Sequence, residues 1–312
     1  MATYLVTGGA GFIGSHIVFE LVKSGNKVRV LDNFSSGKEE NLKAVFDKIE
    51  LVKGDIRDIE LLKKATSGVD YCLHQAALRS VPKSVKFPQE YNDVNISGTL
   101  NVLLAAKENK VKRVVFASSS SVYGDVKKFP QSEIDLPLLI SPYALTKLAG
   151  EYWCRVFSRQ YGLETVSLRY FNVFGPRQSL DDEYAVVIPK FIVSVLKNQP
   201  PPVYGDGKQS RDFTFVENVV QANILAAKKE VASGKVFNIA CGCDHTVIGL
   251  AKTINSILGK NIKPVFLPLR PGDVRKTLAD IRSAKKYLGF KPKVDFETGI
   301  KRTVEWFKDR YK

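Results

Sequence analysis

The sequence predicts an α/β fold: a doubly wound parallel sheet over residues 1–171, followed by a smaller, loop-rich C-terminal domain over residues 172–312. Three observations predict it. Short apolar runs alternate with helical segments through the first half of the chain, a glycine-rich turn stands between the first run and the first helical segment, and after about residue 172 prolines and glycines break the rhythm. A strand that returns parallel to its neighbour needs a crossover long enough to hold a helix, so regular alternation points to a sheet covered on both faces.

Taken in order, Tyr4-Leu5-Val6-Thr7 reads as the first strand and Ile13 to Ser24 as the first helix. Lys27 to Leu31 and Ile49 to Lys53 read as the second and third strands, with a short helix from Asp58 to Ala65. Tyr71 to His74 is the fourth strand, a helix runs from about Tyr91 to Asn109, and Arg113 to Ala117 is the fifth strand. A long helix spans Pro142 to Tyr161 before the sixth strand, Glu164 to Arg169. Beyond it come Pro176, Pro189, Pro200 to Pro202, Gly205 and Gly207. Asp212 to Glu230 again reads as strand then helix, which makes the segment of about 212–240 a candidate to rejoin the sheet; Val247 to Leu258 and Val294 to Arg310 read as further helices.

Composition narrows the function classes. Apolar residues at 44% and charged residues at 25% supply a large globular core. No apolar run reaches the roughly 18 residues of a membrane span, and the N-terminus lacks a basic region and a cleavage site, so the expectation is a cytoplasmic protein with no membrane partner. Cys72, Cys154, Cys241 and Cys243 read as reduced thiols; Cys241 and Cys243 stand too close for the common zinc or redox spacing, and no metal is expected. The net charge of +15 fits either nucleic acid or an anionic small molecule. Lysines are spread along the whole chain without a nucleic-acid-binding signature, so nucleic acid is not expected as a partner.

Thr7-Gly8-Gly9-Ala10-Gly11-Phe12-Ile13-Gly14 joins the first strand to the first helix. Such a turn lets a dinucleotide pyrophosphate approach backbone N–H groups at a helix start, where the dipole favours anions. Asp32 closes the second strand, about 20 residues on, in reach of the adenosine ribose hydroxyls; an acid there disfavours a 2′-phosphate, so NAD is preferred over NADP as the expected cofactor. Asp55, in Gly54-Asp55-Ile56-Arg57-Asp58, can accept from the adenine amino group or cap the following helix.

Tyr143 and Lys147 lie at i and i+4 on one helix face. A phenol titrates near pH 10 and becomes a useful base only when its anion is stabilised, which a lysine ammonium and an oxidised nicotinamide both do. Ser118 to Ser121 can place a hydroxyl at the carboxyl edge of the sheet, where ligands of open α/β folds bind.

With these motifs in place the chain resembles the extended short-chain dehydrogenase/reductase family, of the Rossmann type, over nearly its whole length. The carrying segments are Thr7 to Gly14, His74-Gln75-Ala76-Ala77, Asn95-Ile96-Ser97-Gly98-Thr99, Ser118 to Gly124, Tyr143 to Lys147 and Arg169 to Pro176. The resemblance implies that Tyr143 is the base, Lys147 its partner and a ligand of the nicotinamide ribose, and Ser119 the hydroxyl on the reacting oxygen. It implies that Gly8, Gly11, Phe12, Ile13, Gly14, Asp32, Asn33, Asp55, Ile56, Ala76, Ala77 and Tyr170 surround NAD, and that Asn95 holds the active-site helix. His74 is expected to be structural. For a sugar-nucleotide substrate it implies Ser121 on the sugar, Asn172 and Arg211 on the diphosphate, and Arg270 with Asp273 as a second diphosphate and ribose clamp. Arginine suits phosphate through its planar, permanently charged fork.

The family's dehydratases and decarboxylases carry an acidic residue just after the fifth strand. Here Ser119-Ser120-Ser121-Val122-Tyr123 has none, which favours a UDP-hexose 4-epimerase working through a transient 4-keto sugar. UDP-glucuronate 4-epimerase or decarboxylase is the alternative enzyme, and a NAD-binding scaffold or regulator the non-enzyme one. In the epimerase subgroup the residue seven after Arg270 gates the space around the sugar C2. It is the small Thr277, which with Ser80 and Gln178 implies that N-acetylated hexoses are accepted beside unsubstituted ones. Arg79 departs from the glycine expected there. The family is usually a homodimer through a four-helix contact, here the helices near Tyr91–Asn109 and Pro142–Tyr161.

Overall fold

The structure, a computed structural model, describes residues 1–180, 187–269 and 274–311. The first half builds β1 (Thr3–Thr7), α1 (Phe12–Lys23), β2 (Lys27–Asp32), β3 (Ile49–Lys53), α2 (Ile59–Thr66), β4 (Tyr71–His74), α3 (Val81–Lys86), α4 (Pro88–Tyr91), α5 (Gly98–Glu108), β5 (Arg113–Ser119), α6 (Pro142–Gln160) and β6 (Glu164–Tyr170). A seventh strand, Lys235–Ile239, pairs with β6. The order is β3-β2-β1-β4-β5-β6-seventh, with every pair parallel. The build direction reverses between β1 and β4, and the strand ends there open a crevice.

Both faces of the sheet are covered, which is why its central strands read as unbroken apolar runs. Tyr4 and Val6 of β1 and Val115 of β5 pack with Ile17, Val18 and Val219 on one side. Leu5, Val114 and Phe116 pack with Leu62, Leu103 and Phe157 on the other. This is the period-two alternation of strand side chains.

The segment of about 212–240 returns to the sheet. Helix α8 (Val216–Lys228) packs on α1, and the seventh strand aligns Lys235 with Val166 and Ile239 with Tyr170. Three helices, α7 (Val187–Leu196), α9 (Val247–Leu258) and α11 (Phe296–Arg310), enclose a separate core around Phe174, Phe191, Phe215 and Phe307. One late element crosses back: α10 (Arg282–Leu288) puts Ala284 and Leu288 into the core of the sheet.

The helix expected from Tyr91 to Asn109 is interrupted. Asn92–Ser97 forms a wide i→i+5 turn between α4 and α5. Such turns insert an extra residue and commonly mark functional positions. Asn95 within it is bound to the backbone of Leu78, and Gly98 at its end packs so closely on Ile56 that a Cβ would stand 2.6 Å from Ile56 Cδ1. Helices α3, α7 and α10 went unexpected, being short or proline-bearing. Strands β2, β5 and β6 run on to Asp32, Ser119 and Tyr170.

Among the described residues, one ion pair is fully interior. Arg169 of β6 donates Nε and Nη2 to the two oxygens of Glu151 on α6, each at 2.8 Å, and Ser118 Oγ donates to Glu151 Oε1. Either partner alone would be an uncompensated buried charge, a loss of about 3–5 kcal/mol.

Candidate active site

One cleft of about 1520 Å³ runs along the carboxyl ends of the strands and under the second domain. Its floor is the turn between β1 and α1. Gly8 has φ +66°, and a Cβ on it would lie 2.7 Å from the Ala76 nitrogen; a Cβ on Gly14 would lie 2.1 Å from the Gly8 oxygen. Gly11 starts α1 with no side-chain cap, so the first-turn amides remain donors for an anion at the positive helix end. Phe12 and Ile13 line the cleft and pack against the phenylalanine-rich core of the second domain.

At the ends of β2 and β3 lie Asp32, Asn33, Asp55 and Ile56, all lining the cleft. Asp32 accepts from the amides of Ala10 (2.9 Å) and Phe34 (2.8 Å). Burial raises its pKa, against the pull of those two bonds. Asp55 is not the helix cap, a role taken by Asp58. It is held by Arg57 through Nε (2.9 Å) and Nη2 (2.8 Å) and by Asn33 Nδ2 (2.8 Å). The bonds from Arg57 bring its pKa down to about 2. The narrow glycine turn, the uncapped helix start and the acid closing β2 together fit an NAD dinucleotide.

The chemical end is formed by α6 and β5. Lys147, buried, donates from Nζ to the Ala117 carbonyl at 2.8 Å and lies 6.0 Å from the Tyr143 ring centroid. Burial drops the Lys147 pKa to about 7. Burial raises that of Tyr143, while a side-chain hydrogen bond with Ser119 and the charge of Arg79 pull it down. Ser119 Oγ also donates to Ser121 Oγ at 3.1 Å. The seating of α6 is fixed from behind. Asn95 Nδ2 donates to Thr146 Oγ1 (3.0 Å), which donates to the Tyr143 carbonyl (2.8 Å), while Ser84 Oγ accepts from the Tyr143 amide (3.1 Å).

His74 is interior. Its Nδ1 stands 2.7 Å from Thr7 Oγ1 and its Nε2 3.0 Å from Thr99 Oγ1, whose proton goes to the Asn95 carbonyl at 2.6 Å. Thr99 therefore accepts from Nε2–H and the ring is neutral; burial lowers its pKa to about 3. It acts as a structural strut.

The remaining residues singled out in the sequence divide into three groups. Ala76, Ala77, Arg79, Ser80, Tyr170, Asn172, Gln178 and Arg211 line the cleft. Asn95 and Thr277 do not. Asn95 is the brace just described, and Thr277 sits behind Asn172, whose Nδ2 donates to Thr277 Oγ1 at 2.9 Å. Arg270 and Asp273 lie outside the described residues. Lys38, Arg177, Tyr204, Gln209 and Trp306 also line the cleft; Tyr204 ends a three-residue strand, Trp306 lies on α11, and the others fall in irregular segments, where periodicity gives no signal.

A family model described as the NAD dependent epimerase/dehydratase family matches residues 4–240. A putative UDP-glucose 4-epimerase of Methanocaldococcus jannaschii is 40% identical over 307 residues, 98% of this chain and 98% of its own. The solved UDP-N-acetylglucosamine 4-epimerase of Methanobrevibacter ruminantium, in complex with UDP-N-acetylmuramic acid, is 44% identical with a TM-score of 0.95 and coverage of 99% of both chains. The UDP-glucose 4-epimerase of Thermotoga maritima with UDP-glucose is 41% identical, also at 0.95, covering 99% of this chain and 100% of its own.

The buried lysine has a measurable signature. Between pH 7 and its ordinary value of 10.5, the unfolded chain binds the proton and the folded one does not, so stability rises with pH across that window. Lys147→Met removes the cost of the buried charge, which is fully present below pH 7. The variant is expected to gain on the parent by up to about 5 kcal/mol at pH 6, with the gain shrinking by about 3 kcal/mol by pH 9. Urea unfolding at the two pH values reads this; a difference that does not change with pH contradicts it.

Proposed function

Because the chain belongs to the NAD-dependent epimerase/dehydratase family, we propose that it inverts C4 of a UDP-hexose, with NAD held throughout and regenerated in each cycle. The observation that carries this reading is Ser119, Tyr143 and Lys147 gathered at the sheet edge beside the glycine turn, with no carboxylate from Ser119 to Tyr123 to drive elimination. The interior acid behind Ser118, Glu151, is bound by Arg169 and Ser118.

When bound, NAD supplies reversible hydride acceptance at the sugar C4. The chain's own residues manage the proton. Ser119, bonded to Tyr143, presents a hydroxyl to the reacting oxygen, and Tyr143 Oη takes the 4-hydroxyl proton and later returns it. Lys147, fixed on the Ala117 carbonyl, stands beside the phenol, and its ammonium form favours the phenolate. The 4-keto sugar turns about its diphosphate linkage while Arg211 and the wall of the second domain hold the nucleotide.

Thr277 supports acceptance of acetylated as well as unsubstituted hexoses. It is small and meets the cleft through the carboxamide of Asn172, and a tyrosine there would press on Asn172 and narrow the space. A homodimer in the cytoplasm is the matching assembly. Leu145, Tyr152 and Val156 form an exposed apolar stripe on α6 at helical spacing, and Leu104 is exposed on α5.

Tyr143→Phe should lower turnover of UDP-hexose by about 10³-fold with the fold intact; chromatography of UDP-sugar products measures this, and parental turnover would sink the reading. Thr277→Tyr should cut activity on UDP-N-acetylglucosamine by about tenfold or more while sparing UDP-galactose, and equal loss on both substrates defeats the gate. Sedimentation should return twice the mass of one chain; a monomer at micromolar concentration rules out the stripe as an interface.

A further inference from the structure

Helix α6 carries a third polar residue on the face that holds Tyr143 and Lys147. Glu151 stands four residues beyond Lys147, as Lys147 stands four beyond Tyr143, so the three project towards β5 one turn apart. Each meets the end of that strand. Tyr143 bonds the Ser119 hydroxyl, Lys147 Nζ the Ala117 carbonyl, and Glu151 Oε1 the Ser118 hydroxyl. The gap between helix and strand is set beside them: a Cβ on Gly150 would run into the Phe116 ring.

The reaction gives Glu151 no proton to move and no substrate atom to touch. It is buried and does not line the cleft. Stability is a poor reason for its ion pair with Arg169, because apolar residues of like volume in place of such a pair are commonly neutral or stabilising. What the pair supplies, and apolar side chains do not, is direction. The two Glu151 oxygens take three donors: Ser118 Oγ from β5, and Nε and Nη2 of Arg169 from β6, the latter two at 2.8 Å. Ser118 and Arg169 are partners across the two strands, so one carboxylate grips both strand ends. Arg169 in turn lies over the Tyr123 ring, 4.7 Å from its centroid, and Tyr123 Oη donates to Asn238 Oδ1 of the seventh strand at 2.6 Å. Hydrogen bonds weaken steeply with distance and angle, so a helix held in this way resists the small slides that an oily contact permits.

We propose that Glu151 is a positioning residue for the reaction: by gripping Ser118 and Arg169 it sets the register of α6 on β5, so that the Tyr143 phenol meets the Ser119 hydroxyl. This rests on the reading of Tyr143 as the base. Loss of the register costs turnover, since a misplacement of about 1 Å in a reacting group costs about 10²-fold. It spares KM, because α6 and β5 are not the elements that hold the nucleotide. It also weakens the Ser119 bond that favours the phenolate, so Tyr143 gives up its proton at higher pH.

The test uses NAD-loaded protein and two variants. Glu151→Leu combined with Arg169→Met removes the grip without leaving a buried charge, and Ser118→Ala removes one bond alone and decides the matter if the double variant fails to fold. Turnover of UDP-hexose gives kcat and KM. The ultraviolet absorbance of the phenolate, after subtraction of the same protein carrying Tyr143→Phe, gives the titration of Tyr143 without any substrate. The double variant should lose about 10²-fold in kcat, and Ser118→Ala about tenfold, with KM within about twofold of the parent. In the double variant the Tyr143 titration should move up by about one pH unit. A folded, NAD-retaining double variant with parental kcat overturns the proposal, as does one in which the titration stays in place. The same two results in Ser118→Ala overturn it where the double variant does not fold. The two ideas separate cleanly. A parent that turns over UDP-hexose while its variants match it removes the role of Glu151 and leaves the reaction standing; a parent without turnover whose Tyr143 titration moves in the variants does the reverse.

Discussion

A lysine ammonium buried against a main-chain carbonyl is the constraint from which the rest of this site follows. Lys147 reaches the Ala117 oxygen at the end of a central strand, where burial weakens its hold on its proton. A group so placed persists only in surroundings that leave it no better position. Here those are the Phe116 ring, 5.1 Å from Nζ, the seat of α6 on β5 and β6, and the brace from Asn95 through Thr146 to the Tyr143 carbonyl. Sheet order does the rest, bringing the ends of β1, β4 and β5 side by side so that the glycine turn and the tyrosine helix open into one cleft.

The second domain is fastened to that cleft by interior polar contacts as well as by apolar packing. Asp212 is fully buried and receives the amides of Cys241 (3.0 Å), Gly242 (3.0 Å) and Ala279 (3.2 Å). Burial raises its pKa to about 7, though those amides favour the anion. Its own amide bonds the Thr277 carbonyl and its carbonyl accepts from Asn172. One aspartate thus ties the end of the sheet, the substrate wall and the segment carrying Thr277 into a single piece.

The fold was legible because its signals are local. Alternating apolar runs, a glycine turn after the first of them, and Tyr143 with Lys147 one helical turn apart all lie within short windows of sequence. What could not be read depends on partners far along the chain. The interruption of the Tyr91–Asn109 helix needs Asn95 to meet Leu78, and Asp55 meets Arg57 in a way its motif does not announce. Thr277 was singled out through family resemblance as a wall of the sugar pocket; the structure puts it one layer back, because Asn172 stands between.

The seventh strand has a further consequence for the chain as it is made. It completes the sheet against β6 only after the intervening segment has built part of the second domain, and Arg113 at the start of β5 relies on the Ala226 and Lys229 carbonyls of that same late stretch. At 5–20 residues per second, roughly seventy residues of delay leave β6 an open edge for about 3–14 s on the ribosome. An unpaired parallel edge is a template for any other extended chain. Nascent copies are therefore most exposed to mispairing during that interval, and a crowded polysome, where neighbouring chains pass through the same stage together, is where the hazard is greatest.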